Sequence, residues 1–232
     1  MDDKASNMRI KIQKDGPYIV TGSVPLAEML IIPKGEGYEF KEGRKLPQSS
    51  SYSLCRCGTS ESAPFCDGSH VGCDFKGEET ASRESYIERA GVYSGPGMRL
   101  LDDRRCAFAR FCHREGGTAW ELTMASDDEH NRREAIIAAN ECPAGRLTAA
   151  DRSGRLIEPD LEPGIVIVQD PERDCSCGIY VKGYIQIEGA DGHLYERRSR
   201  VMLCRCGKSR NKPFCDATHV GADFYDGYME ML

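Results

Sequence analysis

Two nearly identical stretches rich in cysteine and histidine constrain this chain more than any other feature. The first reads LCRCGTSESAPFCDGSHVGCDF from Leu54, the second reads LCRCGKSRNKPFCDATHVGADF from Leu203, and 15 of the 22 aligned positions are identical. Equivalent residues, such as Cys55 and Cys204, lie 149 positions apart (204 minus 55). Internal repeats of this kind form the same local structure twice. The sequence therefore predicts two equivalent sites.

Each copy carries three cysteines and one histidine as candidate ligands. They are Cys55, Cys57, Cys66 and His70 in the first copy, and Cys204, Cys206, Cys215 and His219 in the second. Alternation at Tyr52 and Leu54 predicts a strand that ends at the C-x-C pair, whose side chains would face the same way. Pro64 suits the first position of a short helix, on which Cys66 and His70 would share a face.

This arrangement leaves more than one chemistry open. Two ligands from a strand and two from a helix suit a two-iron cluster. A structural zinc site with three cysteines and one histidine is the main alternative, although zinc sites usually pair their cysteines as C-x2–4-C. A catalytic cysteine–histidine pair is disfavoured, because a nucleophile needs one thiolate and one base rather than four ligands repeated twice.

The pattern C-x-C-x2-S-x3-P-x-C-D-G-S-H, from Cys55 to His70, resembles the signature of the CDGSH-type (NEET) iron–sulfur proteins. The second copy departs from it only at Ala217 and Thr218, which are not ligand positions. The resemblance implies one [2Fe–2S] cluster per motif, with the C-x-C pair on an inner iron and the cysteine and histidine on an outer, solvent-near iron. Two such modules pair about a two-fold axis in the family, so a monomer with an internal pseudo-dimer is expected.

A histidine ligand changes the charge of such a cluster. Three thiolates and a neutral imidazole leave an oxidised [2Fe–2S] centre at −1 rather than −2, which raises its reduction potential. Histidine can also be protonated near neutral pH. These properties suit electron transfer, cluster transfer or redox sensing, so we expect a carrier rather than an enzyme. An electron-relay subunit of a redox enzyme complex and a structural zinc protein are the alternatives.

The segment between the copies does not repeat. It contains Cys106 and Cys112 as C-x5-C, followed by Cys142 before Pro143. Between them, residues 132–140 are predicted to form a short helix with Ile136, Ile137 and Ala138 toward a core. This order resembles a single-cluster bacterial ferredoxin or the divergent ferredoxin-like domain fused to some CDGSH motifs. The resemblance implies a third cluster, [3Fe–4S] or [4Fe–4S], on these three cysteines.

The alternative for the middle segment is a ferredoxin-like fold without a cluster. Arg110 and Phe111 favour it, because they occupy a turn where glycine usually lets backbone amides approach the sulfurs. The organisation predicted is α+β and mainly β. Two β-rich CDGSH modules (residues 1–79 and 164–232) form a pseudo-two-fold pair, with a ferredoxin-like insert at residues 80–163. β-Branched alternation upstream of each motif, at Val20, Val24, Val181 and Ile185, supports the modules.

The remaining features concern the other cysteines and the compartment. Cys175 and Cys177 predict a hairpin turn with exposed thiols, and Cys73, which aligns with Ala222, predicts a small buried side chain. The net charge of −6 has both signs interspersed, so no nucleic-acid-binding face is expected, and the apolar runs fall far short of the ~20 residues of a membrane helix. The N-terminal residues do not resemble a secretory signal, so we expect a cytoplasmic protein. For a carrier, the expected partner is a redox or cluster-acceptor protein.

Overall fold

The computed structural model describes residues 5–227, and its regular elements are mostly short strands. The predicted α+β, mainly β class is confirmed. The first third of the chain contains β1 (Arg9–Ile12), β2 (Tyr18–Thr21), β3 (Leu26–Lys34), β4 (Gly37–Glu42), β5 (Ser51–Leu54) and α1 (Ser69–Gly72). The middle contains α2 (Tyr86–Arg89), β6 (Gly91–Ser94), β7 (Arg99–Asp102), β8 (His113–Arg114), β9 (Gly117–Thr118), α3 (Ala119–Met124), α4 (Glu129–Glu141), β10 (Leu147–Ala150) and β11 (Leu156–Ile157). The last third contains β12 (Gly164–Asp170), β13 (Cys175–Lys182), β14 (Gln186–Glu188), β15 (Arg200–Leu203) and α5 (Thr218–Gly221).

The two ends of the chain build two matched sheets, and each sheet borrows a strand from the other end. One sheet has the order β14-β1-β2-β5, and the other has the order β15-β13-β12-β3-β4. Strand β3 pairs in parallel with β12, and β14 pairs in parallel with β1. Because this exchange is reciprocal, a pseudo-two-fold axis relates the two halves. The predicted pseudo-two-fold pair of β-rich modules is confirmed.

The facing sides of the two sheets form the main core. Equivalent apolar residues from the two halves meet there, each buried to within 2% exposure: Ile10 and Ile165, Ile12 and Ile167, Val20 and Val181. Val24 and Ile185, which the sequence also predicted in strand-like alternation, lie in the same core. The alternating pattern therefore identified the buried faces correctly.

The second-half sheet is buried on both of its faces, whereas the first-half sheet is buried on one. Every residue of β12 is buried, while β1 alternates between exposed and buried positions. On the outer face of the second sheet, Val166 and Val168 pack against Ala107 and Phe111 of the middle segment. The middle segment thus covers one half of the molecule and leaves the other uncovered.

The middle segment is a four-stranded antiparallel sheet with the order β11-β10-β7-β6, against which α3 and α4 pack. Helix α4 includes the predicted span of residues 132–140, and the Asp128 side chain caps its first turn by accepting from the Asn131 N–H. The buried face of α4 consists of alanines, at positions 135, 138 and 139, whereas Ile136 is only partly buried. The prediction is therefore right for Ala138, whereas Ile136 packs against the core while partly buried and Ile137 is also only partly buried.

The predicted segment boundaries at residues 79 and 163 fall between regular elements. Residues 1–4 and 228–232 of the two predicted modules lie outside the described residues. Between residues 5 and 227, no helix is both long and apolar enough to cross a bilayer.

Candidate metal centres

The first motif brings its four candidate ligands together as two pairs. Strand β5 ends one residue before Cys55, and the Sγ atoms of Cys55 and Cys57 lie 3.5 Å apart. The second pair consists of Cys66 and His70, whose Sγ and Nδ1 atoms lie 3.4 Å apart. The predicted approach of these residues is therefore present in the structure.

The loop that carries Cys66 differs from the predicted helix. The Ala63–Pro64 peptide is cis, Phe65 forms an isolated bridge with Leu54, and α1 begins only at Ser69. Cys66 therefore lies before the helix, and its proximity to His70 does not come from a shared helix face. The prediction of a helix from Pro64 is wrong because this backbone pairs with the end of β5: the Cys55 N–H donates to the Pro64 carbonyl oxygen, and the Cys66 N–H donates to the Ser53 carbonyl oxygen.

An aspartate stabilises this loop in both copies. The Asp67 carboxylate accepts hydrogen bonds from the backbone N–H groups of Glu61 and Ser69, at 2.8 and 3.0 Å. Asp216 accepts in the same way from Arg210 and Thr218, at 2.9 and 3.1 Å. The sequence analysis did not assign this role, although the aspartate is the same residue in both copies of the repeat.

The second motif repeats the geometry in a more buried setting. The Sγ atoms of Cys204 and Cys206 lie 3.7 Å apart, and Cys215 Sγ lies 3.4 Å from His219 Nδ1. All four residues are at most 4% exposed. Burial raises the pKa of the Cys215 thiol and lowers the pKa of His219 to about 4, because each charged form is poorly solvated there.

These distances fit two metal ions per motif. Two thiolates bound to one tetrahedral metal at about 2.3 Å lie about 3.8 Å apart, close to the 3.5 and 3.7 Å of the C-x-C pairs. The Gly58 N–H also points to Cys55 Sγ at 3.3 Å, as donors do around cluster sulfurs. Among residues 5–227, no group of three or more histidine, cysteine, aspartate or glutamate side chains is placed to hold a single ion.

The two motifs touch each other across the pseudo-two-fold axis. A Cβ atom added to Gly58 would lie 2.7 Å from the Cys206 carbonyl oxygen, and one added to Gly207 would lie 2.5 Å from the Cys57 oxygen. Both glycines have positive φ, which L side chains rarely adopt. The two sites are therefore adjacent parts of one structure.

The arginine between the two cysteines of each C-x-C pair was missed by the sequence analysis. Arg56 and Arg205 are 3% and 2% exposed, and each guanidinium donates to backbone carbonyl groups of its own half. They also lie over equivalent aromatic rings, Phe75 and Phe224. Both copies of the repeat have arginine at this position, and this was the sequence signal for a shared role. Each is a buried cation within the loop that carries the C-x-C pair.

The middle segment brings its three predicted cysteines to one depression. Cys106, Cys112 and Cys142 line it together with Trp120 and Arg146. Helix α4 ends immediately before Cys142, as the Cys–Pro sequence predicted. Burial, followed by the charges of Cys142 and Cys106, raises the pKa of Cys112 to about 11, so these thiols are close enough to interact.

The backbone of this loop has the conformation that glycine would otherwise supply. Phe108 and Arg110 have φ of 59° and 66°, and the Phe108 N–H points to Cys106 Sγ at 3.3 Å. Backbone concavities of this kind bind anions in many iron–sulfur sites. The buried ion pair between Arg110 and Asp170, with N···O distances of 2.6 and 2.8 Å, holds the loop in place. A backbone N–H thus reaches a cysteine sulfur in this loop even though Arg110 and Phe111 stand where glycine is usual.

The remaining cysteine predictions are also corrected by the structure. Cys175 and Cys177 lie within β13 and are 1% exposed, so the predicted exposed hairpin thiols are buried strand residues. Burial raises their pKa to about 11 and about 12, which makes them unreactive. Cys73, predicted to be buried, is exposed, because helix α1 ends at the uncovered surface of the first half.

The fold and these sites together define a class of protein. The chain is a β-rich metalloprotein in which two pseudo-symmetric cysteine–histidine sites flank a third, cysteine-lined depression. The family described as "Iron-binding zinc finger CDGSH type" matches residues 15–71 and 175–220, and the family described as "Divergent 4Fe-4S mono-cluster" matches residues 93–152. The chain is therefore an iron–sulfur protein of the CDGSH type, in which two CDGSH segments flank a divergent ferredoxin-like segment. Searches of curated proteins and of solved structures gave no significant match.

Proposed function

We propose that the protein holds two [2Fe–2S] clusters and acts in electron transfer, cluster transfer or redox sensing. The observation that carries this proposal is the pairing within each motif, where a sulfur–sulfur and a sulfur–nitrogen contact each match two ligands of one metal. Cys55 and Cys57 would hold one iron of the first cluster, and Cys66 and His70 the other. Cys204 and Cys206 would hold one iron of the second, and Cys215 and His219 the other.

The surroundings support a carrier rather than an enzyme. A bound cluster supplies reversible one-electron chemistry, and the protein contributes charge, hydrogen bonds and burial. Arg56 and Arg205 are buried cations in the loops that carry the C-x-C pairs, and the Gly58 N–H donates to Cys55 Sγ. We propose a redox or cluster-acceptor protein as the partner, and a monomer whose internal pair replaces a homodimer.

We propose the cytosol as the compartment. All twelve cysteines are free thiols, although several lie close together. Free thiols in such number are typical of a reducing environment.

We also propose a third cluster, [3Fe–4S] or [4Fe–4S], in the middle segment. Cys106, Cys112 and Cys142 share one depression, and the loop between the first two offers an inward N–H in the conformation typical of cluster loops. The family match over residues 93–152 supports the same assignment. No fourth cysteine lines the depression among the described residues, so an external ligand or a three-iron centre completes the site.

Metal content tests this proposal. Iron, zinc, acid-labile sulfide and the visible spectrum are measured on anaerobically purified protein. Two CDGSH clusters give four irons and four sulfides per chain, and a third centre raises the iron to seven or eight. A colourless protein with stoichiometric zinc and no sulfide would instead establish the structural zinc alternative.

Site variants test the ligand assignment. Cys66→Ala and Cys215→Ala should each remove two irons, whereas Cys73→Ala, a cysteine of the same motif outside the ligand pairs, should leave the iron unchanged. Cys106→Ala should reduce seven or eight irons to four, with Cys175→Ala as its control. An unchanged iron content in Cys106→Ala would remove the third cluster from the proposal.

The histidines have a separate signature. His70→Cys or His219→Cys should keep the cluster, lower its reduction potential because a thiolate adds negative charge, and slow its loss in acid because the titratable ligand is gone. Potentials come from redox titration and acid lability from loss of the visible spectrum. Unchanged acid lability in the double variant would contradict histidine ligation.

A further inference from the structure

The two CDGSH sites have matched residues but unequal access to solvent. Every ligand candidate of the second site is at most 4% exposed. In the first site only Cys55 is buried, while Cys57, Cys66 and His70 are partly exposed. Because the motifs are so similar in sequence, the difference must come from what surrounds them.

One cause is the length of the hairpin beside each site. The β1–β2 turn closes at Gln13 and Pro17, and Arg56 donates to the carbonyl groups of Gln13 and Gly16 in that turn. The equivalent Arg205 donates to the Val168 carbonyl, but the β12–β13 hairpin continues beyond this point to the pair of Asp170 and Cys175.

This hairpin extension lies over the second site. Helix α5, which carries His219, packs against β13, and the Ser176 N–H donates to the Phe224 carbonyl oxygen at 2.7 Å. The first half has no such extension, because its hairpin ends at the Gln13–Pro17 turn. The longer hairpin therefore accounts for part of the burial of His219.

The other cause is the loop of the middle segment. Ala107, Ala109 and Phe111 pack in one apolar cluster with Cys215 and Cys177. The ion pair of Arg110 with Asp170 connects this loop to the hairpin extension, with both side chains at most 6% exposed. Loop and hairpin together form a cover, which we call the 106–111/169–176 seal.

The first site shows the opposite features at equivalent positions. Val71, next to His70, is 78% exposed, whereas Val220 is half-buried. Cys73 is an exposed thiol whose Sγ lies 3.5 Å from the Thr59 hydroxyl, and that hydroxyl lies 3.1 Å from Cys57 Sγ. The second motif has Ala222 in place of Cys73.

We infer that the first CDGSH site is the one that exchanges its metal centre with the outside, and that the 106–111/169–176 seal retains the metal of the second. This inference rests on the proposed iron–sulfur function. In the exchange, the Cys55, Cys57 and Cys66 thiolates lose their bonds to iron and take up protons from water, and His70 loses its bond to iron. The iron leaves as Fe³⁺ on a chelator and the sulfide as hydrogen sulfide, so no electron is transferred.

The native protein, loaded and oxidised, tests the inference directly. Anaerobic incubation with excess EDTA should remove the two irons of the first CDGSH site in a first phase, and the two irons of the second CDGSH site about ten-fold or more slowly, because the second site needs a local opening. After the first phase, iodoacetamide labelling and peptide mass spectrometry should find Cys55, Cys57 and Cys66 modified. Cys204, Cys206 and Cys215 should remain unmodified.

A variant of the seal provides a second test. Asp170→Asn weakens the ion pair with Arg110 and should speed the slow phase several-fold while leaving the fast phase unchanged. Glu134→Gln is the control, since Glu134 forms a partly buried ion pair with Arg114 in the middle segment and lines a cavity that contains none of the candidate ligands. Circular dichroism reports whether Asp170→Asn folds. If it does not, the labelling of the native protein still tests which site loses its iron first.

Two results would overturn the inference: equal rates of iron loss from both sites, or labelling of Cys204, Cys206 and Cys215 in the first phase. Failure of the proposed function is distinguishable, because a protein without iron and sulfide before EDTA is added has no exchange to measure.

Discussion

Arg56 and Arg205 occupy equivalent positions but differ in their charge partners. Arg205 forms a buried ion pair with Asp226, whose side chain is 2% exposed. Arg56 donates to the carbonyl groups of Gln13, Gly16 and Gly77 and has no carboxylate partner among residues 5–227. The buried positive charge in the first C-x-C loop is therefore less compensated than the one in the second.

This difference predicts two distinct reduction potentials. Reduction adds negative charge, which the unpaired Arg56 and the greater solvent access of the first site stabilise, so the first cluster should have the higher potential. Asp226→Asn should raise the potential of the second cluster and bring the two closer. A redox titration followed by EPR measures both, and the exposed Asp174→Asn serves as the control. A single potential for both clusters in the native protein would contradict the prediction.

Arg200 connects the middle segment to the second half. It is 0% exposed and donates to the carbonyl groups of Ala139, Cys142 and Leu147, while Glu158 is its charge partner. Burial by itself would raise the pKa of Glu158, but Arg200, the Ser199 hydroxyl and Arg198 outweigh it and hold the pKa below its usual value.

The sign of this shift predicts a loss of stability in acid. A carboxylate with a lowered pKa contributes stability above its unfolded pKa of about 4.3, and that stability disappears as the pH falls through the lower, folded pKa. Glu158→Gln should reduce the free energy of unfolding by about 2 kcal/mol at pH 7, with a smaller difference from native protein below pH 4. Thermal melts of both proteins across pH 3–8 check this. A constant difference across that range would mean that the charge of Glu158 is not involved.

At the scale of elements, the sequence predicted the repeated motifs and the strands whose apolar residues alternate. The strands before each motif follow from alternation at Val20 and Val181, and α4 follows from its helical pattern, because both depend on local periodicity. The loop from Pro64 to Ser69 could not be predicted this way. Its shape depends on the Leu54–Phe65 bridge and on the Asp67 hydrogen bonds, which no spacing reveals.

In the candidate sites too, local features of the sequence were predictable and contacts with distant segments were not. The residue pairs that the repeat marks lie together in the structure, because both copies form the same local loop. The burial of Cys175 and Cys177 was not predictable, because β13 is covered by a loop that lies about seventy residues earlier, at Ala107. Exposure that is set by distant segments leaves no trace in a short window of sequence.

The contact of the two motif loops predicts a selective response to alanine substitution. Gly58→Ala should destabilise the protein by roughly 2 kcal/mol or more, because the added Cβ would lie 2.7 Å from a backbone oxygen of the other motif. Gly68→Ala is the matched control, since Gly68 also has positive φ but no atom within 4 Å of the added Cβ, and Ala217 occupies the equivalent position. It should cost about 1 kcal/mol. Chemical denaturation measures both, and equal costs would show that only backbone strain matters.

At the scale of the whole molecule, strand exchange makes each half incomplete without the other. A fragment of residues 1–79 retains β3 but loses β12, the strand with which β3 pairs, and it also exposes the core around Ile10. We expect the full chain to be a monomer of 25.8 kDa and the fragment to dimerise or aggregate. Size-exclusion chromatography with light scattering distinguishes these states. A stable, monomeric fragment would show that the halves are independent.

The exchange of β3 also sets an order of events during synthesis. Leu26 pairs with Ile165, 139 positions later in the chain (165 minus 26), and the whole middle segment must leave the ribosome before this pairing can form. Contacts of such long range form slowly, and unpaired strand edges attract other chains while they wait. A nascent chain that has completed the first cysteine motif therefore still lacks half of the scaffold around it. We therefore expect metal loading of the first site to wait for the end of translation, although the site itself lies near the beginning of the sequence.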